Sequence, residues 1–247
     1  MRSLIVLPTY MEAATVAIVL RRIRAAVPGA HILVVDDASP DGTADLAEAV
    51  GAELGCIDVM RRAGKGGLGS AYRDGMRWGL DRGYEVLVEM DADLSHDPAD
   101  LPRLIAAVED GADLALGSRY VPGGSIPAWS TRRRFLSRQG NRYAAVLLRL
   151  PATDATSGYR AYRATAVTAV DLDRVRADGY GFQIEMVHRV ARLGGTVVEL
   201  PISFTERTQG QSKMSTRIVV EALILVTWWG VRDRLDRRRH RPERHPV

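Results

Sequence analysis

Several residue types on which common active sites depend are scarce in this chain of 247 residues. It has one cysteine, Cys56, which excludes an intrachain disulfide and any metal site built from several thiolates. Its five histidines are not spaced as zinc ligands, and His96, beside Asp97, is expected to be a solvated loop residue. No G-x-S-x-G pentapeptide is present, so acyl transfer through an activated serine is disfavoured.

Apolar runs long enough to cross a bilayer are also lacking. The longest, residues 218–231, is interrupted by Glu221 and falls short of the roughly 20 residues that a spanning helix needs. The first, residues 4–7, is too short for the core of a signal peptide and predicts a buried strand. With 46% hydrophobic and 26% charged residues, the chain is expected to fold as a globular protein.

Net positive charge is confined to the C-terminal end. The formal charge of the chain is +4. Residues 232–247 contain seven arginines, two aspartates and one glutamate, which gives the same net charge, so the preceding part is formally neutral. A nucleic-acid-binding protein is expected to carry basic residues on its folded body. We therefore predict no nucleic-acid partner, and the basic tail needs another explanation.

Short apolar runs alternate with longer amphipathic segments in the first half of the chain, which is typical of βαβ units and a mostly parallel sheet. The predicted strands are residues 3–7, 31–36, 57–60, 85–90, 113–117 and 196–200. The predicted helices are residues 12–27, 43–50, 70–82, 101–110, 135–150, 181–193 and 216–229. The last of these has two apolar sides. Residues 206–215 are polar and predict a loop.

Polar residues directly follow four of the predicted strands, at residues 8–12, 36–41, 91–97 and 117–120. Open parallel sheets bind ligands at the carboxyl ends of their strands, so these segments are the first candidates for a site. Asp91 and Asp93 come directly after a strand, and a spacing of two places both carboxylates on one side. Such hard oxygen ligands suit Mg²⁺ or Mn²⁺, which commonly bridge carboxylates to a bound diphosphate.

Capping and turn formation are the competing interpretations for other aspartates. Asp97 precedes a proline and Asp41 precedes the helix predicted at residues 43–50, so we expect both to be capping residues. Asp37 is a candidate acceptor for hydrogen bonds from the base or ribose of a nucleotide, with Tyr10 nearby. Turn formation explains Asp37 equally well.

A glycine-rich segment after the third strand favours a different class of enzyme. Gly64, Gly66 and Gly69 match the dinucleotide fingerprint G-x-G-x-x-G, as in a nicotinamide-dependent oxidoreductase. That fingerprint belongs after the first strand, where residues 8–12 contain no glycine. We therefore expect a tight turn whose backbone amides, with Lys65, approach a phosphate or cap the sheet edge.

A series of motifs occurs in a fixed order along the chain: Leu7-Pro8-Thr9-Tyr10-x-Glu12, Val34-Val35-Asp36-Asp37-x-Ser39-Pro40-Asp41-Gly42-Thr43, Lys65-x-Gly67-Leu68-Gly69, Met90-Asp91-Ala92-Asp93-Leu94-Ser95-His96, Gly117-Ser118-Arg119-Tyr120, Asp154-x-x-Ser157-Gly158-Tyr159-Arg160 and Gly210-Gln211-Ser212-Lys213. Together they resemble glycosyltransferase family 2, and within it the polyprenol (dolichol) phosphate mannosyltransferases. The resemblance covers about residues 3–215. It implies an α/β GT-A fold with a Rossmann-like, mostly parallel sheet flanked by helices. It also implies a GDP-mannose donor, a divalent metal (Mg²⁺ or Mn²⁺), a polyprenyl phosphate acceptor and inversion at the anomeric carbon.

The resemblance further implies roles for individual residues. Guanosine is held at four positions, with a lysine in a loop beside them: Pro8, Tyr10, Glu12, Asp37 and Lys65. The donor diphosphate and the metal meet Asp91, Ala92 and Asp93, with Asp93 as the direct metal ligand. Ser95 stands where some members have a second ligand, glutamine. Basic residues face the diphosphate or the acceptor phosphate at Arg119, Arg133, Arg207 and Lys213, and Arg134 is an alternative to Arg133. The catalytic candidates are Asp91, Asp93, Arg119 and Arg133.

The absence of a histidine base agrees with this chemistry. An acceptor phosphate monoester is already ionised near neutral pH, because its second pKa is about 6. Its attack on the sugar then needs little help from a general base. The difficult part is the charge that develops on the departing GDP, which a metal ion and arginines stabilise.

The C-terminal segments are expected to serve the membrane in which the acceptor lies. We predict a catalytic domain at residues 1–215, an amphipathic helix at 216–231 and a disordered basic tail at 232–247. Some members of the family carry a transmembrane domain after the catalytic domain. Here the helix is expected to lie against the bilayer or the domain, and each well-placed arginine adds about 1 kcal/mol of attraction to anionic headgroups.

These expectations place the protein at the cytoplasmic face of a membrane, as a peripheral protein with a possible separate membrane-protein anchor. Two alternatives share some of the same features. The first is the same fold with UDP-glucose or another UDP-sugar as donor. The second is a non-catalytic module that binds a membrane surface.

Overall fold

Strands and helices alternate along the first half of the chain, as the hydrophobic pattern predicts. The computed structural model describes residues 1–205 and 216–239. The strands are β1 (Ser3–Thr9), β2 (His31–Asp36), β3 (Ile57–Arg61), β4 (Val86–Glu89), β5 (Leu114–Ser118), β6 (Arg160–Arg163) and β7 (Val197–Pro201). The α-helices are α1 (Val16–Ala26), α2 (Thr43–Leu54), α3 (Leu68–Asp81), α4 (Leu101–Glu109), α5 (Thr131–Leu148), α6 (Ala164–Val170), α7 (Gly179–Arg192) and α8 (Thr216–Arg239).

One sheet contains these strands in the order β3-β2-β1-β4-β6-β5-β7. β6 is antiparallel to β4 and β5, and the other neighbours pair in parallel. The chain runs outward from β1 to β2 and β3, and β4 then lies on the other side of β1. Such a reversal leaves a crevice at the carboxyl ends of the central strands, where open α/β sheets bind ligands. The polar segments after β1, β2 and β4 therefore meet at one edge.

Helices cover both faces of the sheet, which explains the uninterrupted apolar runs of the central strands. Alternate residues of β1 point to opposite faces. Ile5 and Leu7 pack with α1 and α4, whereas Leu4 and Val6 pack with α3 and α7. α3 approaches the sheet closely because Gly75 has no side chain, and a Cβ there would overlap Val6 Cγ1. The sheet is thus a buried frame that fixes where each strand ends.

Four helices begin at different residues from those predicted, and the two largest differences, in α1 and α5, bear on the site. The helix predicted from residue 12 begins at Val16, because the preceding residues form a turn in which the Thr15 amide donates to the Glu12 carbonyl at 3.0 Å. The helix predicted from residue 135 begins at Thr131, because Ser130 caps it: Ser130 Oγ accepts from the Arg133 amide at 3.3 Å.

β6 and α6 were not predicted from the sequence. β6 contains no apolar run, and Arg160 at its start is fully buried. The Arg160 guanidinium donates hydrogen bonds to the backbone carbonyls of Ser157, Ala155 and Gln183, at 2.6, 2.6 and 2.7 Å. An arginine satisfied in this way within the core gives no signal in the pattern of hydrophobic residues.

α8 is longer than predicted. It continues to Arg239, so residues 232–239 are helical and the prediction of a disordered tail from residue 232 is wrong for them. Asp233 explains the extension, because it is buried and accepts hydrogen bonds from His188 Nε2 at 2.7 Å and from the Arg192 guanidinium of α7. The predicted loop at 206–215 and the rest of the tail lie outside the described residues. Within the described ranges, no helix is long and apolar enough to cross a membrane.

Candidate active site

A cavity of about 720 Å³ opens at the carboxyl ends of β1, β2 and β4. It brings together most of the residues that the sequence predicts for the site: Pro8, Tyr10, Glu12, Asp37, Lys65, Asp91, Ala92, Asp93, Arg119 and Arg133. Ser95 and Arg134 do not line it. Arg207 and Lys213 lie outside the described residues, so their predicted roles stay predictions.

The loops after β1 and β2 are tied together by Asp36. Its carboxylate accepts hydrogen bonds from Thr9 Oγ1 at 2.8 Å and from the Ser39 amide at 2.8 Å. Met11 and Ala38, one in each loop, adopt positive φ angles of 58° and 56°, a conformation uncommon for residues other than glycine. These hydrogen bonds between the two loops hold Tyr10 and Asp37 on the same wall of the cavity.

Asp37 organises the glycine-rich loop. Its Oδ2 accepts hydrogen bonds from the amides of Gly66 and Gly67 at 3.1 and 3.3 Å, and its Oδ1 pairs with the Arg62 guanidinium. The amide of Gly69 donates instead to Asp178 at 2.5 Å. Carboxylates of the chain itself therefore engage these three amides, which does not support their approach to a phosphate, and the alternative role in capping the sheet edge stays a prediction.

Lys65, from the same loop, does face the cavity. Its Nζ lies 4.1 Å from the centroid of the Tyr10 ring, within the range of a cation–π interaction. This contact places a cation and an aromatic face side by side at the predicted nucleotide end. Asp41 stabilises the start of α2 by accepting from the Thr43 amide at 3.2 Å and from Thr43 Oγ1 at 2.6 Å, although Gly42 occupies the N-cap position itself.

Asp91 and Asp93 line the cavity from the loop after β4, as the spacing predicts. Tyr72 Oη donates to Asp91 Oδ1 at 3.1 Å, and the Ser95 amide donates to Asp93 Oδ1 at 3.0 Å. Leu94, between Asp93 and Ser95, has a φ of 64°. These bonds fix two carboxylates on one wall of the cavity.

The two carboxylates fit a divalent metal that completes its coordination with ligand oxygens. Within residues 1–205 and 216–239, no group of three or more His, Cys, Asp or Glu side chains could hold a metal by itself. Two carboxylates at a cavity wall suit Mg²⁺ or Mn²⁺, which take a few protein oxygens together with phosphate oxygens and water. Asp91 and Asp93 would be the residues that hold it.

The structure gives Ser95 a different place from the predicted one. Its side chain is fully buried, and its Oγ makes no hydrogen bond with any described residue. Ser95 does not line the cavity, so the prediction of a metal-ligand hydroxyl is not supported. Its backbone amide instead orients Asp93.

His96 is not the solvated loop residue that the sequence suggested. It is 2% exposed, and its ring stacks on Tyr159 with centroids 4.8 Å apart and meets Phe204 edge-on at 5.5 Å. Its Nδ1 accepts a hydrogen bond from the Asp91 amide at 3.3 Å. His96 thus supports the carboxylate loop.

Asp97 caps the following turn as predicted, since its Oδ1 accepts from the Ala99 amide at 3.0 Å.

Arg119 reaches the cavity wall as one half of a buried ion pair. Its Nε and Nη2 donate to the Asp154 carboxylate at 2.7 and 2.6 Å, and its amide donates to the same carboxylate at 2.9 Å. Burial acts to raise the pKa of Asp154, but Arg119 outweighs it and holds that pKa below its usual value. The charge of Arg119 is therefore largely compensated within the protein.

Arg133 contributes a cation to the cavity from the first turn of α5. Its guanidinium lies 3.9 Å from the centroid of the Trp129 ring, which also lines the cavity. Arg134 is exposed and outside the cavity, because consecutive helical residues point about 100° apart. Arg133 is therefore the residue that the geometry supports of the two alternatives.

Sequence reasoning missed several residues of the cavity. Gln183 and Tyr180 line it from α7, and Gly158 lines it from the loop before β6. Glu89 lies directly behind them, fully buried, and burial raises its pKa to about 7 against the lowering effects of Arg160 and Gln183. Gly158 belongs to a motif that the sequence displays, whereas Gln183 lies within an amphipathic helix and shows no such signal.

Comparison with known proteins assigns the chain to a family. The sequence profile of Glycosyl transferase family 2 matches residues 4–170, more than half of the chain. The chain belongs to glycosyltransferase family 2. The resemblance drawn from the motifs is confirmed. Membership of this family identifies the chain as an enzyme that transfers sugars, and it disfavours the nicotinamide-dependent oxidoreductase that the glycine spacing suggested.

Two curated relatives are similar over almost the whole chain. Undecaprenyl-phosphate mannosyltransferase of Micrococcus luteus is 53% identical over 236 residues, which cover 96% of this chain and 97% of the relative. Polyprenol monophosphomannose synthase of Mycolicibacterium smegmatis is 51% identical over 239 residues, which cover 96% and 90%.

Solved structures confirm the predicted GT-A fold. Glucosyl-3-phosphoglycerate synthase of Mycobacterium tuberculosis, in complex with UDP, superposes with a TM-score of 0.69 at 19% identity, covering 93% of this chain and 80% of that one. A mannosyltransferase from Pyrobaculum calidifontis, in complex with GDP-Man and Mn²⁺, gives a TM-score of 0.65 at 17% identity, covering 94% and 64%. At these identities the likeness concerns the fold.

Proposed function

We propose that the chain transfers mannose from GDP-mannose to a polyprenyl phosphate, with inversion at the anomeric carbon and with Mg²⁺ or Mn²⁺. The observation that carries the acceptor and the sugar is the 53% and 51% identity to two enzymes named for mannosyl transfer to a polyprenyl phosphate. The cavity adds the chemical support, because it combines a carboxylate pair, an aromatic–lysine wall and an arginine.

The residues of the cavity divide the work of such a reaction. Tyr10 and Lys65 present a surface for the nucleoside, and Asp91 and Asp93 would hold the metal beside the diphosphate. A divalent ion bound there supplies charge that stabilises the departing GDP. Arg133 attracts the phosphate of the acceptor, whose second pKa of about 6 leaves it ionised near neutral pH.

A general base is not required by this chemistry, and the cavity offers no exposed histidine in the part that the structure describes. His96 is the histidine at its wall, and it is buried against Tyr159 with its Nδ1 turned to the Asp91 amide. The nucleophile is the acceptor phosphate oxygen, which attacks the anomeric carbon while the bond to the GDP oxygen breaks. Direct displacement of this kind inverts the anomeric centre.

The donor is the first point to test, because UDP-glucose is the alternative. The full chain is incubated with a short polyprenyl phosphate and Mn²⁺ or Mg²⁺, together with GDP-mannose or UDP-glucose, and the lipid product is analysed by mass. We expect mannosyl lipid from GDP-mannose and little product from UDP-glucose. A clear preference for UDP-glucose would reject the proposed donor, and lack of any glycolipid would reject the proposed reaction.

The carboxylate pair is tested by Asp93→Asn. A lost oxyanion-stabilising contact costs about 100- to 1,000-fold in rate in comparable sites, and we expect a loss of that order with an unchanged unfolding temperature. Asp81→Asn is the matched control, since Asp81 is exposed at the far end of α3. Full activity of folded Asp93→Asn would contradict the metal assignment.

A membrane-facing surface accounts for access to a lipid acceptor. α8 buries Ala222, Val226 and Trp229 against the domain, while its opposite side exposes large apolar residues that include Ile224 and Trp228, 63% and 55% exposed. The neighbouring α5 adds further exposed apolar and basic side chains: Phe135, Leu136, Val146, Arg134, Arg138 and Arg142. Apolar residues interleaved with arginines suit an anionic lipid surface.

Co-sedimentation of the full chain with anionic vesicles tests this surface. We expect Ile224→Glu to weaken vesicle binding several-fold, because a charge on the apolar face opposes insertion. Ile18→Glu on α1 is the matched control, since Ile18 is a similarly exposed isoleucine outside this surface. Equal binding by wild type and Ile224→Glu would reject the assignment of this surface to the membrane.

A further inference from the structure

A side chain of α7 lies at the cavity with a polar atom that no described residue pairs with. Gln183 is 2% exposed and lines the cavity. Its Nε2 donates a hydrogen bond to Glu89 Oε2 at 2.8 Å, whereas its Oε1 is buried and accepts none from the described residues. Buried carbonyl oxygens in proteins are almost always hydrogen-bonded. Among residues 1–205 and 216–239 nothing supplies that partner, so Oε1 is an acceptor that a bound ligand can satisfy.

Glu89 orients this amide: it is fully buried and its Oε2 accepts from Gln183 Nε2. Arg160 Nη1 positions the backbone of the same residue by donating to its carbonyl at 2.7 Å. Where Glu89 is ionised, above its pKa of about 7, rotation of the amide would bring Oε1 to the carboxylate and place two acceptors together. The amide thus keeps its oxygen directed away from Glu89.

Space for a ligand group lies beside the amide, above Gly158. A Cβ at residue 158 would be 3.8 Å from Gln183 Nε2 and 3.6 Å from Asp91 Oδ2. These are ordinary contact distances, and the φ angle of Gly158 is not in the left-handed region, so neither packing nor backbone requires glycine there. The missing side chain leaves an opening between the amide and the first carboxylate of the pair.

We propose that Gln183 and Gly158 form the floor of the subsite for the hexose of the nucleotide sugar, where Gln183 Oε1 accepts a hydrogen bond from a sugar hydroxyl. The inference rests on the proposed function, which places the diphosphate at Asp91 and Asp93. The group attached to that diphosphate is the hexose, and Gly158 borders Asp91. A hexose carries several hydroxyl donors, which suit a buried acceptor without a partner.

The test compares a ligand that has the hexose with one that lacks it. Dissociation constants for GDP-mannose and GDP are measured by calorimetry with Mn²⁺ and no acceptor, for wild type, Gln183→Met and Gly158→Ala. Loss of one neutral hydrogen bond weakens binding by about 3- to 10-fold. We expect Gln183→Met to lose that factor for GDP-mannose, and Gly158→Ala to bind GDP-mannose more weakly because its methyl group fills the opening. Both should change less than about 2-fold for GDP.

Matched controls separate this effect from general damage. Gln139→Met on α5 and Gly29→Ala before β2 repeat the two substitutions at positions outside the cavity, and both should leave the two constants unchanged. Gly158→Ala keeps the test valid if Gln183→Met fails to fold. Equal changes for GDP and GDP-mannose, or no change for either, would overturn the subsite.

Failure of the proposed donor has a different signature. It would appear as a wild-type protein that binds UDP-glucose in preference to GDP-mannose. The same comparison of each variant with UDP-glucose and UDP would then decide on Gln183, because the hexose subsite is independent of the base. A hexose-specific loss would support it there, and equal losses would refute it.

Discussion

Replacing Asp154 by asparagine should destabilise the protein strongly, although the two side chains have the same shape. Asp154 is fully buried, and Arg119, 6% exposed, directs two guanidinium donors and its amide at the carboxylate. Asparagine removes the counter-charge and turns an N–H group toward one of those donors. Loss of one partner of a buried ion pair costs about 3–5 kcal/mol, and the retained carbonyl places the expected loss near 3 kcal/mol.

This loss is large enough to measure by thermal unfolding of the purified chain. For a protein of this size, 1 kcal/mol corresponds to about 2–4 °C, so we expect the unfolding temperature to fall by about 6–12 °C. The cycle of Arg119→Met, Asp154→Leu and the double variant gives the coupling directly. We expect the double variant to be far more stable than the sum of the single losses implies.

Two results would refute the reasoning. One is a shift smaller than about 1 kcal/mol for Asp154→Asn, and the other is additivity in the cycle. The result also bears on catalysis. If Arg119 acts mainly through this pair, activity measurements on Arg119 variants report on catalysis only at temperatures where the variant is folded.

Two further predictions concern stability. Burial lowers the pKa of His188 despite its bond to Asp233, so the imidazole is protonated at a higher pH in the unfolded chain than in the folded one. Protonation therefore favours the unfolded chain, and the free energy of unfolding decreases as the pH falls below about 6.5. In urea unfolding, the free energy of unfolding should decrease less between pH 7.5 and 5.5 for His188→Gln than for wild type. Equal decreases in the two proteins would contradict the prediction. Gly75→Ala should cost about 1–3 kcal/mol in the same assay because its Cβ would overlap Val6, whereas Gly29→Ala should be neutral. A neutral Gly75→Ala would mean that α3 can move away from the sheet.

The central sheet was predictable because strands that are buried on both faces have continuous apolar sequences. The runs that became β1, β2 and β4 are continuous and apolar, and the polar residues that follow them gave most of the site. β6 was not predictable, since its burial depends on hydrogen bonds from Arg160 to carbonyl oxygens of the preceding loop and of α7. These hydrogen bonds of Arg160 exist only in the folded molecule.

Details within the site show the same division. The positions of Asp91 and Asp93 follow from alternation along a strand, which is a local rule. His96 and Gln183 are positioned by rings and carboxylates distant in sequence, Tyr159 for the first and Glu89 for the second. Local composition beside Asp97 indicated solvent for His96, and tertiary packing overrode it.

The insertion of β6 between β4 and β5 has a consequence for the order in which the protein folds. β5 pairs only with β6 and β7 among the described strands, yet it is synthesised about 40 residues before β6. During synthesis, β5 therefore has no sheet neighbour until β6 has emerged and paired with β4. The half of the sheet that carries the carboxylate loop can assemble early. The opposite half, including Asp154 and the loop with Gly158, waits for the chain beyond residue 163, so a nascent chain is expected to complete its cavity late.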